Sequence, residues 1–484
     1  MANLYASLFA GDPDRPCIDE PYSGRSLTYG RLDDLSRRLG RAVLDHDLDP
    51  GDRVVAQIGK SIDGYALWLG CLAAGVVFVP TNTAYTPDEI AYFCNDSGAR
   101  LLIVDDPTTV GHIDTPTVAL SQLVRAAEGI EPIGIAAVDH DEPCSLVYTS
   151  GTTGRPKGAT LSHGCVLDNG HALAEVWQFD ATDVLVHALP VFHVHGLFIS
   201  LHPTLLSGAR VRFLPSFDVD TVLEQLDGAT VFMGVPTYYT RLLADDRFGP
   251  ETCTSMRLFT SGSAPMTELT HAEFTERTGR QIVERYGMSE AGIISSNRIG
   301  EAVPGSVGHA LPGYEVRVVT DDGVPVEAGA TGTVEVRGPS LCLGYWERPD
   351  ADAESRTDDG WFSTGDVGHL DSTGRLTLEG RSSDMIISGG LNVYPKEIEI
   401  ALDEIDGVVE SAVIGVPHDD FGEAVTAYLV LEADVDLDSL PLDEALASLA
   451  RFKHPKTVHR IDELPRNAMG KVQKVELRRG AAAN

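Results

Sequence analysis

Short apolar strands separated by helical stretches recur from Leu27 to about Leu206, and this alternation confines the chain to a sheet covered by helices on both faces. The strands are RVVAQI (Arg53 to Ile58), VVFVP (Val76 to Pro80), ARLLIVD (Ala99 to Asp105), CSLVYTS (Cys144 to Ser150) and DVLVHALP (Asp183 to Pro190), with a helix near Tyr65 to Ala74. A second series follows in ARVRFLP, ATVFMGVP, MRLFTSG and RQIVERYG. Beyond Gly305 the pattern changes to short strands joined by turns, as in YEVRVVTDDGVPVEAGATGTVEVRG, the mark of a small β-rich subdomain. Glycines interrupt the strands in GRSSDMIISGGLNVYP, and an α+β tail follows. That tail is expected to hold a helix begun by Pro395 (PKEIEIALDEI), strands SAVIGVP and VTAYLVLE, and a second helix over Leu442 to Phe452. The expectation is an α/β protein. A large N-terminal domain (1–380) is built on doubly wound mixed sheets, with its β-rich subdomain at about 305–380, and a small α+β C-terminal domain spans 381–484.

With 484 residues and no apolar run near the ~20 residues that cross a bilayer, the chain reads as soluble, and its N-terminus lacks a secretory pattern, which places it in the cytoplasm. A net charge of −35 repels nucleic acid phosphates and anionic membranes, so neither is expected as a partner. Of 37 basic residues, only Lys60, Lys157, Lys396, Lys453, Lys456, Lys471 and Lys474 are lysines. An acid-rich, lysine-poor surface suits a high-salt cytoplasm, where screening weakens self-repulsion. The 7 cysteines are scattered without a CxxC pair and read as reduced, buried thiols.

The chemistry begins at TSGTTGRPKG, Thr149 to Gly158, directly after the strand CSLVYTS. Glycines let backbone N–H groups approach a phosphate chain, the hydroxyls of Thr149, Ser150, Thr152, Thr153 and Thr160 donate hydrogen bonds, and Lys157 adds charge. Gly151 and Gly154 give the loop its freedom, and Ser162 is placed to cap the next helix. A Walker A loop is excluded because Gly158, rather than Ser or Thr, follows Lys157.

TSGTTGRPKG resembles the signature of the adenylate-forming superfamily of acyl-CoA synthetases, luciferases and peptide-synthetase adenylation domains. YGMSE (Tyr286 to Glu290), STGD (Ser363 to Asp366), GRSSDMIISGG (Gly380 to Gly390) and PRNAMGK (Pro465 to Lys471) follow in the same order and span most of the chain. The resemblance implies an enzyme that activates a carboxylic acid with ATP and Mg²⁺ and passes the acyl group to CoA. It implies that Thr152 and Glu290 position the metal and phosphates. Ser261 to Pro265 (with Gly262, Ser263, Ala264 and Pro265) and Glu284, Tyr286, Gly287, Met288 and Ser289 resemble the nucleotide pocket, and Asp366 with Arg381 resembles the ribose site. Lys471 is then the principal catalytic residue, a cation that bridges the attacking carboxylate and the α-phosphate. The same resemblance implies a C-terminal domain that turns about a hinge at Ser383, where other members carry Asp or Lys, with Ser388, Gly389 and Gly390 bordering the thiol channel. PVFHVHG (Pro190 to Gly196) places two histidines beside the expected acid pocket, and in the resembling enzymes the position of His193 is an aromatic gate between the acid and thiol channels. Two histidines without Cys, Asp or Glu beside them do not read as a zinc site.

The acid is addressed by GVPTYYTRL and VERYGMSE, which bring Arg241 and Arg285 into segments that line the acid pocket in this superfamily. A buried arginine facing an alkyl tail lacks a counter-ion, whereas a second carboxylate repairs the deficit through a charge-assisted pair. The chain looks most like malonyl-CoA synthetases over nearly its whole length. It departs from them at AGIISSN after Glu290, where they carry a Met-Asn-Thr-Ser type of run. Malonate is the favoured acid and methylmalonate or another short acid stays open. So do a medium- or long-chain fatty acyl or aryl ligase, a stand-alone amino-acid adenylation enzyme, and an ion pair of the two arginines with acids such as Glu284. The partners implied are the small acid, ATP and CoA, with the protein a monomer or homodimer.

Overall fold

The fold rests on three sheets, seen in a computed structural model that describes residues 3–149, 156–320, 322–381, 384–388, 391–393, 395–418, 422–447, 449, 451–467 and 470–482. Ser150, Gly151, Thr152, Thr153 and Gly154 of the phosphate loop, the expected hinge Ser383, and Gly389 and Gly390 lie outside the described residues.

The first half of the chain builds six strands of a 7-stranded sheet, in which Arg53–Gln57, Val77–Pro80, Leu101–Val104, Thr117–Ala119 and Pro143–Thr149 run parallel, and Gly344–Tyr345 supplies the seventh. Strand Pro143–Thr149 then pairs antiparallel with Lys157–Ser162, so the phosphate loop is a connection between two neighbouring strands. Ser162 caps the helix His163–Val176, its hydroxyl accepting from the Cys165 N–H at 3.0 Å, as the sequence predicts. Helix Ile62–Ala74 has only Asp63 outside its buried set, the condition of a helix enclosed on every side.

A 13-stranded sheet carries the rest of the large region. Its parallel half holds Val184–His187, Arg210–Phe213, Val231–Gly234, Leu258–Ser261 and Ile282–Met288. From Ile282–Met288 onward the pairing turns antiparallel, through Gly292–Ser296 and Ser306–Ala310 to Leu376–Arg381, Phe362–Leu370, Gly332–Arg337 and Glu315–Val319. Strand Ile282–Met288 therefore lies at the seam between the two halves. It is the last parallel strand, and its carboxyl end runs into YGMSE.

The tail forms its own 5-stranded sheet, dominated by the long hairpin Val408–His418 and Gly422–Leu431, with helix Pro395–Asp403 packed against it. Its core of Ile386, Val393, Ile398, Leu402, Val413, Val425 and Leu429 is separate from that of the large sheets. The second tail helix predicted over Leu442 to Phe452 is not continuous. Among the described residues of this stretch only Leu442–Ala445 is α-helical, with a 3-10 turn at Arg451–Lys453. An isolated helix of that length is marginal in water, and the packing of Leu446, Leu449 and Phe452 on the core sets the path instead.

Candidate active site

Strand Ile282–Met288 positions groups on both of its faces, because consecutive side chains of a strand point opposite ways. Glu284 accepts the Gly305 N–H at 3.1 Å, and burial pushes its carboxyl up to about 7, with Glu268 adding to the shift and Lys396 opposing it. Arg285 lies on the other face, so the alternative of a Glu284–Arg285 ion pair is not realised. The guanidinium is 4 % exposed, and neither Nε nor Nη2 has a hydrogen-bond partner among the described residues. Burial pulls it down to about 9, the signature of a cation without a counter-ion.

Space for this guanidinium comes from Gly262, where a Cβ would lie 2.5 Å from its Cζ. The next residue, Ser263, adopts a left-handed φ of 68°, a conformation that costs a non-glycine residue on the order of 1–2 kcal/mol. Its Oγ thereby meets His195 Nδ1 at 3.2 Å. His195 is fully buried at the start of a π-helical turn, His195–Ser200, and its Nε2 has no partner among the described residues. Burial, aided by Arg285, holds both His193 (lowered to about 4) and His195 neutral near pH 7. Neutral His195, Ser263 and Arg285 thus surround one polar site that contains no acid.

Arg241 does not join them. It is exposed in the last turn of helix Pro236–Leu243, whose buried residues are Tyr239, Leu242 and Leu243, and at 100° per residue Arg241 faces away from that set. Of the two arginines expected at the acid, Arg285 is buried beside His195 and Ser263, whereas Arg241 is exposed on its helix. Both histidines of PVFHVHG are expected beside the acid pocket, and only His193 is given a role there; the contact of His195 with Ser263 is seen only in the structure.

A second group of residues gathers toward the carboxyl end of the same strand. The Tyr286 hydroxyl donates to Asp366 Oδ2, and Arg381 Nε lies 3.2 Å from Asp366 Oδ1 across the paired strands. Lys471 is an exposed residue overall, yet its ammonium end is enclosed enough for desolvation to lower its pKa. Arg381 acts in the same direction, and Asp366 and Asp384 act against it. The loop is held by Asn467, whose N–H donates to Lys471 O and whose Oδ1 accepts the Lys471 N–H, both at 3.0 Å. Gly470, at φ 74°, comes so close to helix Pro236–Leu243 that a Cβ would stand 3.1 Å from Thr237 Oγ1. The tail therefore delivers Lys471 to the Asp366–Arg381 pair across a tight contact.

Glu290 completes the arrangement. It is 6 % exposed and makes no ion pair among the described residues. The hydroxyls of Thr149 and Tyr345 both donate to Oε1, at 3.2 and 3.0 Å, while Oε2 receives no donor among the described residues. A buried carboxylate with one oxygen open and no ion pair among the described residues, although Arg381 lies close enough to feel its charge, fits a hard divalent ion such as Mg²⁺. Ser388 is buried in the tail, its backbone paired with Leu391 and Gly422.

Comparison with known proteins identifies the lineage. The model for AMP-binding enzymes matches residues 7–346, and that for the AMP-binding enzyme C-terminal domain matches residues 397–471. The chain belongs to the AMP-binding enzyme family. It is 37 % identical to a feruloyl-CoA synthase from an Amycolatopsis species over 95 % of this chain and 94 % of that protein. It is 33 % identical to a malonate–CoA ligase of Arabidopsis thaliana over 94 % of this chain and 85 % of the relative. The ATP-bound crystal structure of MatB from Rhodopseudomonas palustris superposes with a TM-score of 0.95 at 42 % identity, covering 99 % of this chain and 98 % of that one. The expected adenylate-forming acyl-CoA synthetase, on an α/β framework with a small C-terminal sheet, is met. Among the described residues no helix is long and apolar enough to cross a membrane.

Proposed function

We propose that this enzyme activates a short dicarboxylate, malonate before methylmalonate, with ATP and transfers the acyl group to CoA. The observation that carries the reading is Arg285, a buried guanidinium with two unpartnered nitrogens and no acid beside it. Leaving a charge buried and unpaired costs several kcal/mol, and a bound carboxylate removes that cost through charge-assisted hydrogen bonds. Neutral His195 offers a further polar atom, Nε2. The similarity to the Arabidopsis malonate–CoA ligase supports the same acid.

In the first half-reaction one oxygen of the other carboxylate attacks the α-phosphorus of ATP, and the bond to pyrophosphate breaks. Lys471 stabilises the charge shared between carboxylate and phosphate, more in the transition state than before it. Asp366 accepts hydrogen bonds from the ribose hydroxyls, with Tyr286 and Arg381 fixing its two oxygens. Glu290 and Thr152 would hold Mg²⁺, which neutralises charge on the phosphates when bound. In the second half-reaction the CoA sulfur attacks the acyl carbon and AMP leaves with the electron pair of the broken bond. For that step the C-terminal domain, from 381 onward, turns about Ser383, withdraws Lys471 and brings Ser388, Gly389 and Gly390 to the thiol channel.

An aryl acid is the competing reading, carried by the 37 % identity to a feruloyl-CoA synthase. The deciding measurement is pyrophosphate release across malonate, methylmalonate, acetate, decanoate and ferulate, with and without CoA. Malonate is expected to have the highest kcat/KM, and a higher value for ferulate or decanoate overturns the dicarboxylate assignment.

A further inference from the structure

Tyr345 connects two groups assigned above to the triphosphate, although it belongs to neither the phosphate loop nor YGMSE. It ends the two-residue strand Gly344–Tyr345, which pairs antiparallel with Lys157–Ser162 and sets Tyr345 opposite Ala159. The Leu343 N–H donates to Thr160 O at 2.9 Å and the Trp346 N–H to Gly158 O at 2.8 Å, so the backbone on either side is tied to the strand that starts at Lys157. Its own N–H donates to Asp352 Oδ1 at 2.7 Å. A residue held on three sides in this way projects its side chain in one direction.

That direction leads to Glu290. The phenol donates to Oε1 at 3.0 Å, and its ring lies 5.5 Å from Lys157 Nζ, within range of a cation–π contact. Burial and the neighbouring Glu290 raise the phenol pKa, so it remains a donor across the working range of pH. Without this hydroxyl, the Glu290 carboxylate keeps, among the described residues, only the longer bond from Thr149, itself the first residue of the phosphate loop. Without the ring, the four-carbon stem of Lys157 is free to sample other rotamers. One side chain therefore sets the direction of a carboxylate and of an ammonium that approach the phosphates from different elements.

We propose that Tyr345 is a positioning residue for adenylate formation, aiming Glu290 Oε2 at the metal and the Lys157 ammonium at the phosphates. The inference rests on the reading of Glu290 and Lys157 as triphosphate-binding groups. It predicts a defect confined to ligands that carry the β- and γ-phosphates.

The test compares wild type with Tyr345→Phe, Tyr345→Leu and Glu290→Gln by calorimetric titration of Mg·ATP and of AMP in the absence of acid, with thermal unfolding in parallel. Tyr345→Phe, which keeps the ring, is expected to weaken Mg·ATP binding about tenfold, the usual effect of losing a bond to a charged acceptor. It should leave AMP affinity and Tm unchanged and raise the Mg²⁺ concentration needed for half-maximal pyrophosphate release. Tyr345→Leu should lose more. Adding Tyr345→Phe to Glu290→Gln should change little further, because the acceptor has already lost its charge. Wild-type Mg·ATP affinity in Tyr345→Phe overturns the proposal, and so does an equal loss for AMP. If Glu290→Gln itself binds Mg·ATP normally, the assignment of Glu290 falls first and this inference with it. A normal Tyr345→Phe beside a defective Glu290→Gln removes only the inference.

Discussion

Arg285 and Glu290 stand five positions apart in one segment and are both nearly fully buried, yet they lack opposite things. Among the described residues Arg285 has no acid partner, and its neighbours Ser263 and His195 are neutral. Among the same residues Glu290 makes no ion pair, and the side chains that hydrogen-bond it are the hydroxyls of Thr149 and Tyr345. In a chain of net charge −35, an arginine buried away from every acid is the more demanding arrangement. The contrast shows that one side of the seam is prepared for an anion and the other for a cation. On the reading proposed above, a dicarboxylate and metal-bound ATP would meet between them and satisfy both.

The most severe way to break this pairing is to remove the group that acts between the two sides. Lys471→Ala is expected to lower acid-dependent pyrophosphate release by on the order of 10³-fold while sparing thioester formation from supplied malonyl-adenylate and CoA. Loss of both half-reactions would assign Lys471 a structural role. Next in size is Arg285→Ala, for which kcat/KM for malonate should fall about 100-fold or more, with KM for ATP within about twofold of wild type. Equal losses for malonate and acetate would mean that the arginine does not read the second carboxylate. Asp366→Asn should raise KM for ATP by about tenfold and leave the preference among acids unaltered, as measured by initial rates at saturating malonate. Arg241→Ala tests whether the exposed arginine also serves the acid. Its exposure predicts a malonate kcat/KM within about threefold of wild type, and a loss as large as that of Arg285→Ala would return Arg241 to the acid pocket.

The smallest effect concerns Glu284. Its folded pKa of about 7 lies above the ordinary value of 4.5, so between those values the folded chain binds more protons than the unfolded one. This carboxyl therefore favours folding less as pH rises from about 4.5 through 7, the reverse of an ion-paired carboxylate. Glu284→Gln should flatten the decline of Tm across that window by a few degrees, and an unchanged slope would show that the carboxyl is already ionised.

Much of this was legible in short stretches of sequence. The strands before TSGTTGRPKG, the cap at Ser162 and the helix begun by Pro395 depend on neighbouring residues, and they appear where local chemistry puts them. The second tail helix did not, because core packing rather than propensity decides so short a segment. Arg241 and Arg285 looked equivalent as letters. The rotation of one helix separated them, exposing the first, while a strand seam buried the second. Tyr345 was passed over, and the partner of His195 was not foreseen, because Glu290 and Ser263 are remote in sequence and no local pattern announces these contacts.

The sequence by itself determined the family and the order of its chemical parts, since TSGTTGRPKG, YGMSE, STGD and PRNAMGK are each complete within a few residues. Only the tertiary structure decided which arginine lacks a counter-ion, which histidine faces it and which tyrosine steadies Glu290. Burial and charge pairing are properties of contacts between distant segments, and they exist only once the strands and the tail have come together.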